Sequence, residues 1–142
     1  MTSLLSILLS TVFFVLAGIH MYWGLGGKWA LDDAYPTKED GTSLSKVPGV
    51  VASFIVATGL FVFGLFYLIN GQIISVVLPS YLSVYGYWII AFIFFLRSVG
   101  DFKYIGMFKK IKKTSFAKKD KKIYTPLCIF ISCLTFLLIY LD

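Results

Sequence analysis

Charge is what this sequence has least of. Only 14% of its 142 residues are Asp, Glu, Lys or Arg, against 58% hydrophobic and 18% aromatic, and the mean hydropathy is +0.86. A soluble globular chain carries about 25% charged residues, so too few polar side chains are present to cover a water-facing exterior. The same shortage excludes intrinsic disorder and a soluble nucleic-acid-binding domain, although the formal charge is +6. Cysteine is also scarce. Cys128 and Cys133 stand five residues apart, which puts them about 140° apart around a helix and out of bridging reach. No Cys-x-x-Cys pair is present, so disulfide-rich secretion, a thioredoxin-type couple and a zinc site all lack support. There is one histidine, His20, and one arginine, Arg97.

What the chain does have is four long stretches without a charged residue, from about Ser3 to Leu25, Val47 to Ile69, Leu78 to Leu96 and Ile123 to Leu141. Crossing a hydrocarbon core of about 30 Å takes roughly 20 apolar residues in a helix, and each stretch is long enough. A single charge at mid-membrane costs about 2.5 to 3.5 kcal/mol on insertion scales, which accounts for the exclusion of all such residues from these windows. The pattern predicts an all-α membrane protein: one domain, a four-transmembrane-helix bundle with helices over about 3–25, 47–69, 78–97 and 123–141, and a basic amphipathic segment over 98–122.

The cations set the expected orientation. Lys28, Lys38 and Lys46 lie between the first two spans, Arg97 and nine lysines between the last two, and none in residues 70–77. By the positive-inside rule the first and third connections face the cytoplasm and both termini are extracytoplasmic, in a multi-pass protein of the inner (plasma) membrane. A cleaved signal peptide ending at Val15-Leu16-Ala17 is the competing reading of the first span. Met1-Thr2-Ser3 carries no basic residue, however, and the apolar run exceeds the usual 7 to 15 or so.

Helices in lipid associate through small residues that let backbones approach. Ser3, Ser6, Ser10, Phe13, Ala17, His20 and Gly24 form such a stripe in the first helix, Gly49, Ser53, Ala57 and Gly64 in the second, and Thr125, Cys128, Ser132 and Thr135 in the fourth. Pro48 and Pro126 suit a first helical turn, where the missing N–H is harmless. In the third helix Tyr81, Tyr85, Tyr87 and Trp88 read as an interfacial aromatic belt.

With this topology His20, Arg97 and Cys128 fall within roughly 5 to 8 Å of one another in height. Asp101 follows Arg97 at i+4, where it can pair with it, and Tyr22, Trp23, Tyr104 and Tyr124 line the same boundary. The candidate ligand-binding residues are therefore His20, Tyr22, Trp23, Arg97, Asp101, Tyr104 and Tyr124, with His20 also the candidate acid or base, since its ordinary pKa of about 6.5 suits proton transfer near neutrality. Each has a plainer reading. A lone histidine also serves helix packing, an arginine at a helix end anchors by snorkelling, and Cys128 is a small packing residue.

No cofactor is expected. One histidine cannot supply both axial ligands of a b-type haem, and Asp32, Asp33, Glu39 and Asp40 show no ion-binding spacing. Gly24-Leu25-Gly26-Gly27-Lys28 lacks the phosphate-loop spacing and more simply ends the first helix. Between Phe102 and Lys122, nine lysines interleave with Phe102, Ile105, Phe108, Ile111 and Phe116. This suits an anionic membrane surface, each cation near it contributing on the order of 1 kcal/mol.

The blocks Gly18-Ile19-His20-Met21-Tyr22-Trp23-Gly24-Leu25-Gly26-Gly27, Arg97 to Gly106, Phe116 to Asp120 and Tyr124-Thr125-Pro126-Leu127-Cys128 resemble the hallmark blocks of a domain-of-unknown-function family of small bacterial four-helix membrane proteins. The resemblance covers nearly the whole chain. It implies a fold and a membrane location, no activity, and it singles out His20, Trp23, Arg97, Asp101, Asp120 and Tyr124. The leading functional expectation is a lipid or quinone-like amphipathic ligand at the cytoplasmic mouth, with His20 and an Arg97–Asp101 pair at its polar end. The alternatives are an accessory subunit or scaffold that packs against a membrane partner or a second copy, and a small transporter in which His20 carries protons.

Overall fold

The computed structural model describes residues 1–42 and 49–141. Its helices are α1 (Thr2–Gly24), α2 (Val50–Asn70), α3 (Ser80–Val99), α4 (Ser115–Lys119) and α5 (Thr125–Leu141), with a π-helical turn (Asp120–Tyr124) joining the last two. Ser115–Leu141 thus forms one continuous 27-residue helix. The fold is all-α, without a strand among the described residues, and four helices are long and apolar enough to cross a membrane. Only 22% to 33% of each apolar window is buried within the protein. The remaining surface is mostly aliphatic and aromatic, as a lipid-facing exterior requires.

Two antiparallel helix pairs make the bundle. In the first, the Ser10 hydroxyl donates to the Gly64 carbonyl at 2.9 Å, Gly24 packs on the Phe54 ring, and Gly71 lies against Ser6. In the second, the Ser132 hydroxyl donates to the Ala91 carbonyl at 3.0 Å. Both contacts need a small side chain on one helix and backbone on the other, the close approach that the small-residue stripes predict. Ser6, Ser10, Phe13, Ala17 and Gly24 are buried in α1, Ser53, Ala57 and Gly64 in α2, and Thr125, Cys128, Ser132 and Thr135 in α5.

Phe13 sits at the centre, its ring 5.3 to 5.7 Å from those of Phe63, Tyr67 and Phe94. The pairs are tied across the core where the Tyr67 and Thr135 hydroxyl oxygens lie 2.7 Å apart. Thr135 already donates to the Ile131 carbonyl at 2.7 Å, which leaves Tyr67 as the donor of the shared bond. Tyr87 departs from the expected belt: Tyr81 and Tyr85 are exposed, whereas Tyr87 is buried against the rings of Phe66 and Tyr67.

The fourth span differs most from expectation. It begins at Ser115 instead of Ile123, where the Thr114 hydroxyl accepts the Ala117 N–H at 3.1 Å and caps the first turn. A charge-free window cannot find this start, because the lysines of the first turns point outward while Phe116 and Ala117 are buried. Pro126 consequently lies inside a continuous helix and not in its first turn. Its ring would clash with the carbonyl four residues back, and the π turn just before it, with the Thr125 N–H on the Asp120 carbonyl, relieves that clash. The segment 98–122 is not uniform either, since residues 100–114 form an irregular, closed loop. The expected start of the second span at Val47, with Pro48, lies outside the described residues.

Candidate functional site

Both long connections meet at one end of the bundle. The Ser115 hydroxyl donates to the Asp33 carboxylate, and the Tyr124 hydroxyl donates to the Asp33 carbonyl at 3.1 Å. At this end α1 stops in a reciprocal C-terminal motif: the Gly26 N–H bonds the Trp23 carbonyl and the Gly27 N–H bonds the Tyr22 carbonyl. Gly26 takes φ +96° to do so, the left-handed geometry that glycine adopts without strain. The Trp23 indole N–H then donates to the Trp29 carbonyl at 2.8 Å.

The loop after α3 folds over the other half of this end. Gly100 and Gly106 have φ of +81° and +89°, and a Cβ on either would collide with backbone of the facing strand of chain. Asp101 holds the loop closed: one of its carboxylate oxygens accepts the N–H groups of Lys103, Tyr104 and Ile105 at 2.7 to 3.0 Å. Burial pushes the Asp101 carboxyl up, but these three donors outweigh it and hold its pKa below the ordinary carboxylate value. The Met107 N–H donates back to the Ser98 carbonyl at 2.9 Å, which turns Lys109 inward.

A buried ion cluster results. The Asp120 side chain is 0% exposed and that of Lys109 only 4%. One Asp120 oxygen accepts an Arg97 N–H at 3.0 Å. The other accepts the Lys109 ammonium at 2.7 Å and the Gly106 N–H at 2.9 Å. Lys109 also donates to the Gly106 carbonyl at 3.2 Å. The expected Arg97–Asp101 pair is therefore replaced by Arg97–Asp120. The reason is local: α3 ends at Val99, so Asp101 is off the helix and never reaches the face one turn beyond Arg97.

The remaining candidates divide. His20 keeps to its own helix, with Nδ1 2.9 Å from the Leu16 carbonyl oxygen and its ring edge-on to Trp23 at 5.0 Å. Among the described residues it has no hydrogen bond or ion pair to Arg97, Asp101 or Asp120. Tyr22 faces outward and, with Val15, Gly18, Ile19 and Trp29, lines an open groove of about 350 Å³ on the outer side of α1. Tyr104 carries the Lys103 ammonium 5.1 Å from its ring centre, and Cys128 belongs to the core. Among the described residues no three His, Cys, Asp or Glu side chains gather as metal ligands.

Lys109 and Gly106 are the partners that sequence reasoning missed as a site. Nothing distinguishes Lys109 from its eight neighbouring lysines along the chain. Asp120 did carry a signal, as the one acid between Asp101 and Asp142 and a position within a hallmark block. Chemically, the cluster can neutralise or orient an anion: Arg97 uses one of the five N–H groups of a guanidinium on Asp120, and its side chain is 31% exposed.

The family described as "Protein of unknown function (DUF3995)" matches residues 13–135. No curated protein and no solved structure matches the chain.

Proposed function

The chain belongs to this family of unknown function, and on the geometry of its lysine-bearing end we propose that the bundle binds an amphipathic ligand there, a lipid or quinone-like molecule. Arg97 is the principal contact to its polar end, with His20, Trp23 and Tyr124 around the same mouth. The observation that carries this reading is the Arg97 guanidinium, half-buried at the membrane boundary yet committed, among the described residues, to a single hydrogen bond with Asp120. A snorkelling anchor has no need of a buried carboxylate to fix its plane. The outer groove of Val15, Gly18, Ile19, Tyr22 and Trp29 offers an apolar track at the same end. The 12 cations among the described residues (13 in the sequence less Lys46), all on the connections that join at this end or at the ends of the helices entering it, favour the cytoplasmic leaflet of a bacterial inner membrane.

The test is lipid analysis of the protein extracted with its surrounding bilayer. Wild type is expected to retain a selected amphiphile that Arg97→Ala loses and His20→Ala holds less well. Identical, non-selective lipid in all three removes the basis of the proposal and favours a scaffold.

A further inference from the structure

We propose that, if this ligand-binding reading holds, the polar end of the ligand is a phosphate group, held between the Arg97 guanidinium and the Thr125 hydroxyl beside the π turn. Arg97 Nη1 and Thr125 Oγ1 are both buried and have no hydrogen-bond partner among the described residues, and Thr125 as a whole is 4% exposed. Buried polar atoms are nearly always paired, because an unmade bond leaves their desolvation uncompensated. Two unpaired groups in one neighbourhood mark a place where something binds.

The register of the helices puts them at one level, and Arg97 acts electrostatically on Tyr124 and Cys128, which flank Thr125 on its helix. The Ser132 hydroxyl meets the Ala91 carbonyl, and the same number of residues from that contact along each antiparallel helix brings Arg97 level with Pro126, next to Thr125. Thr125 stands at the end of the π turn. A helical threonine ordinarily returns its hydroxyl to the carbonyl four residues back, as Thr11 does to Ile7 and Thr135 to Ile131. Thr125 closes the π turn through its N–H on the Asp120 carbonyl, and its hydroxyl makes no such bond among the described residues. Turns of this kind recur at functional sites.

Charge selects the ligand class. The cluster contains two cations, Arg97 and Lys109, and one anion, Asp120. Of the other carboxylates on the two connections, Asp101 is committed to three backbone N–H groups, Asp33 to Ser115 and Asp40 to Thr42, while Asp32 and Glu39 stand exposed on the first connection. A surplus of positive charge on a half-buried guanidinium favours an anion beside it. Lys118, Lys119, Lys121 and Lys122 stand exposed on the surrounding turns, which favours a group of more than one negative charge over a carboxylate. The planar guanidinium suits the spacing of phosphate oxygens.

The test uses the full chain, delipidated in maltoside micelles so that no matrix phosphate competes, and native mass spectrometry to read binding. The probes are phosphatidic acid, oleate and inorganic phosphate. Phosphatidic acid is expected to bind at least about tenfold more tightly than oleate, and Thr125→Val to weaken it by about tenfold, the worth of one hydrogen bond to a charged group. Because that hydroxyl has no partner among the described residues, Thr125→Val does not lower the melting temperature of the ligand-free protein and is free to raise it, which separates binding from folding where Arg97→Ala does not. Displacement of the lipid by inorganic phosphate identifies a free phosphate site, and failure to displace it a lipid head group. Equal binding of oleate, or full binding by Thr125→Val, overturns the inference. If a neutral quinone-like lipid is then still retained selectively, the broader proposal stands; if no amphiphile is, both fall.

Discussion

Replacing Asp120 by alanine removes the one carboxylate in the buried cluster and strands three donors at once. Lys109, with a side chain 4% exposed, retains only the Gly106 carbonyl at 3.2 Å. Arg97 loses its single ion pair, and the buried Gly106 N–H loses its acceptor. Removing one partner of a buried ion pair costs about 3 to 5 kcal/mol, because the surviving charge is left without compensation. An unsatisfied backbone N–H adds about 1 to 3 kcal/mol in isolation, though the terms overlap within one network. Asp120→Ala is therefore expected to destabilise the protein by about 4 kcal/mol. Asp120→Asn, which keeps an acceptor for Gly106, costs less. The decisive comparison adds Lys109→Met to Asp120→Asn. If the lysine is buried and stranded, its removal recovers at least about 1 kcal/mol relative to Asp120→Asn alone, since the buried cation has gone. Reversible unfolding in mixed micelles, followed by far-ultraviolet circular dichroism, gives each value. A loss below about 1 kcal/mol for Asp120→Ala, with no recovery in the double variant, shows that these charges are solvated and refutes the buried cluster.

Other outcomes follow from the same end of the molecule. Asp101→Ala is expected to cost about 1 to 2 kcal/mol, as loss of a helix cap does, and to remove hydrogen-exchange protection at Lys103, Tyr104 and Ile105 while protection in α3 persists. Because the folded pKa of Asp101 is lowered, its contribution is complete above the unfolded value of about 3.9 and disappears as pH falls through the lower folded value; loop protection in wild type should follow that acid titration and be flat in Asp101→Ala. Gly100→Ala places a Cβ at positive φ against the Ile105 carbonyl and should cost at least about 1 to 3 kcal/mol in thermal unfolding, whereas Gly18→Ala, whose Cβ meets nothing, should be neutral. A topology reporter fused after Asp142 is expected to be extracytoplasmic, and a cytoplasmic signal overturns the orientation expected from the cations.

The spans and their packing faces were legible in the sequence because each rests on local chemistry. Excluding charge from a hydrocarbon core depends on composition over about 20 residues, and close helix approach depends on small side chains recurring along one face. Ser10, Ala17, Ser53, Gly64 and Ser132 could thus be read as interior positions and are buried. The glycines after Trp23 were likewise readable as a helix end, a motif closed within a few residues. Where a feature depended on a partner distant in sequence, that logic failed. Asp101, next to Arg97 in the chain, was the natural candidate for its partner, yet the chain leaves the helix at Gly100 and Asp101 caps its own loop instead.

Sequence by itself determined the class of solvent this protein lives in and the inward face of three of its four spanning helices, since both follow from the free energy of placing single side chains in lipid or against a neighbouring backbone. Only the tertiary structure decided which charges meet. The loop from Gly100 to Gly106 reverses the chain, the fourth helix begins eight residues before its apolar run (Ser115 against Ile123), and the π turn ahead of Pro126 re-aims Asp120 and Thr125. Those three events bring Arg97 and Lys109 onto Asp120, with Lys109 and Asp120 out of water. A charge that is inexpensive on an exposed lysine-rich segment becomes the strongest constraint on its surroundings once buried, and burial is a property of the assembled bundle that no stretch of the chain carries alone.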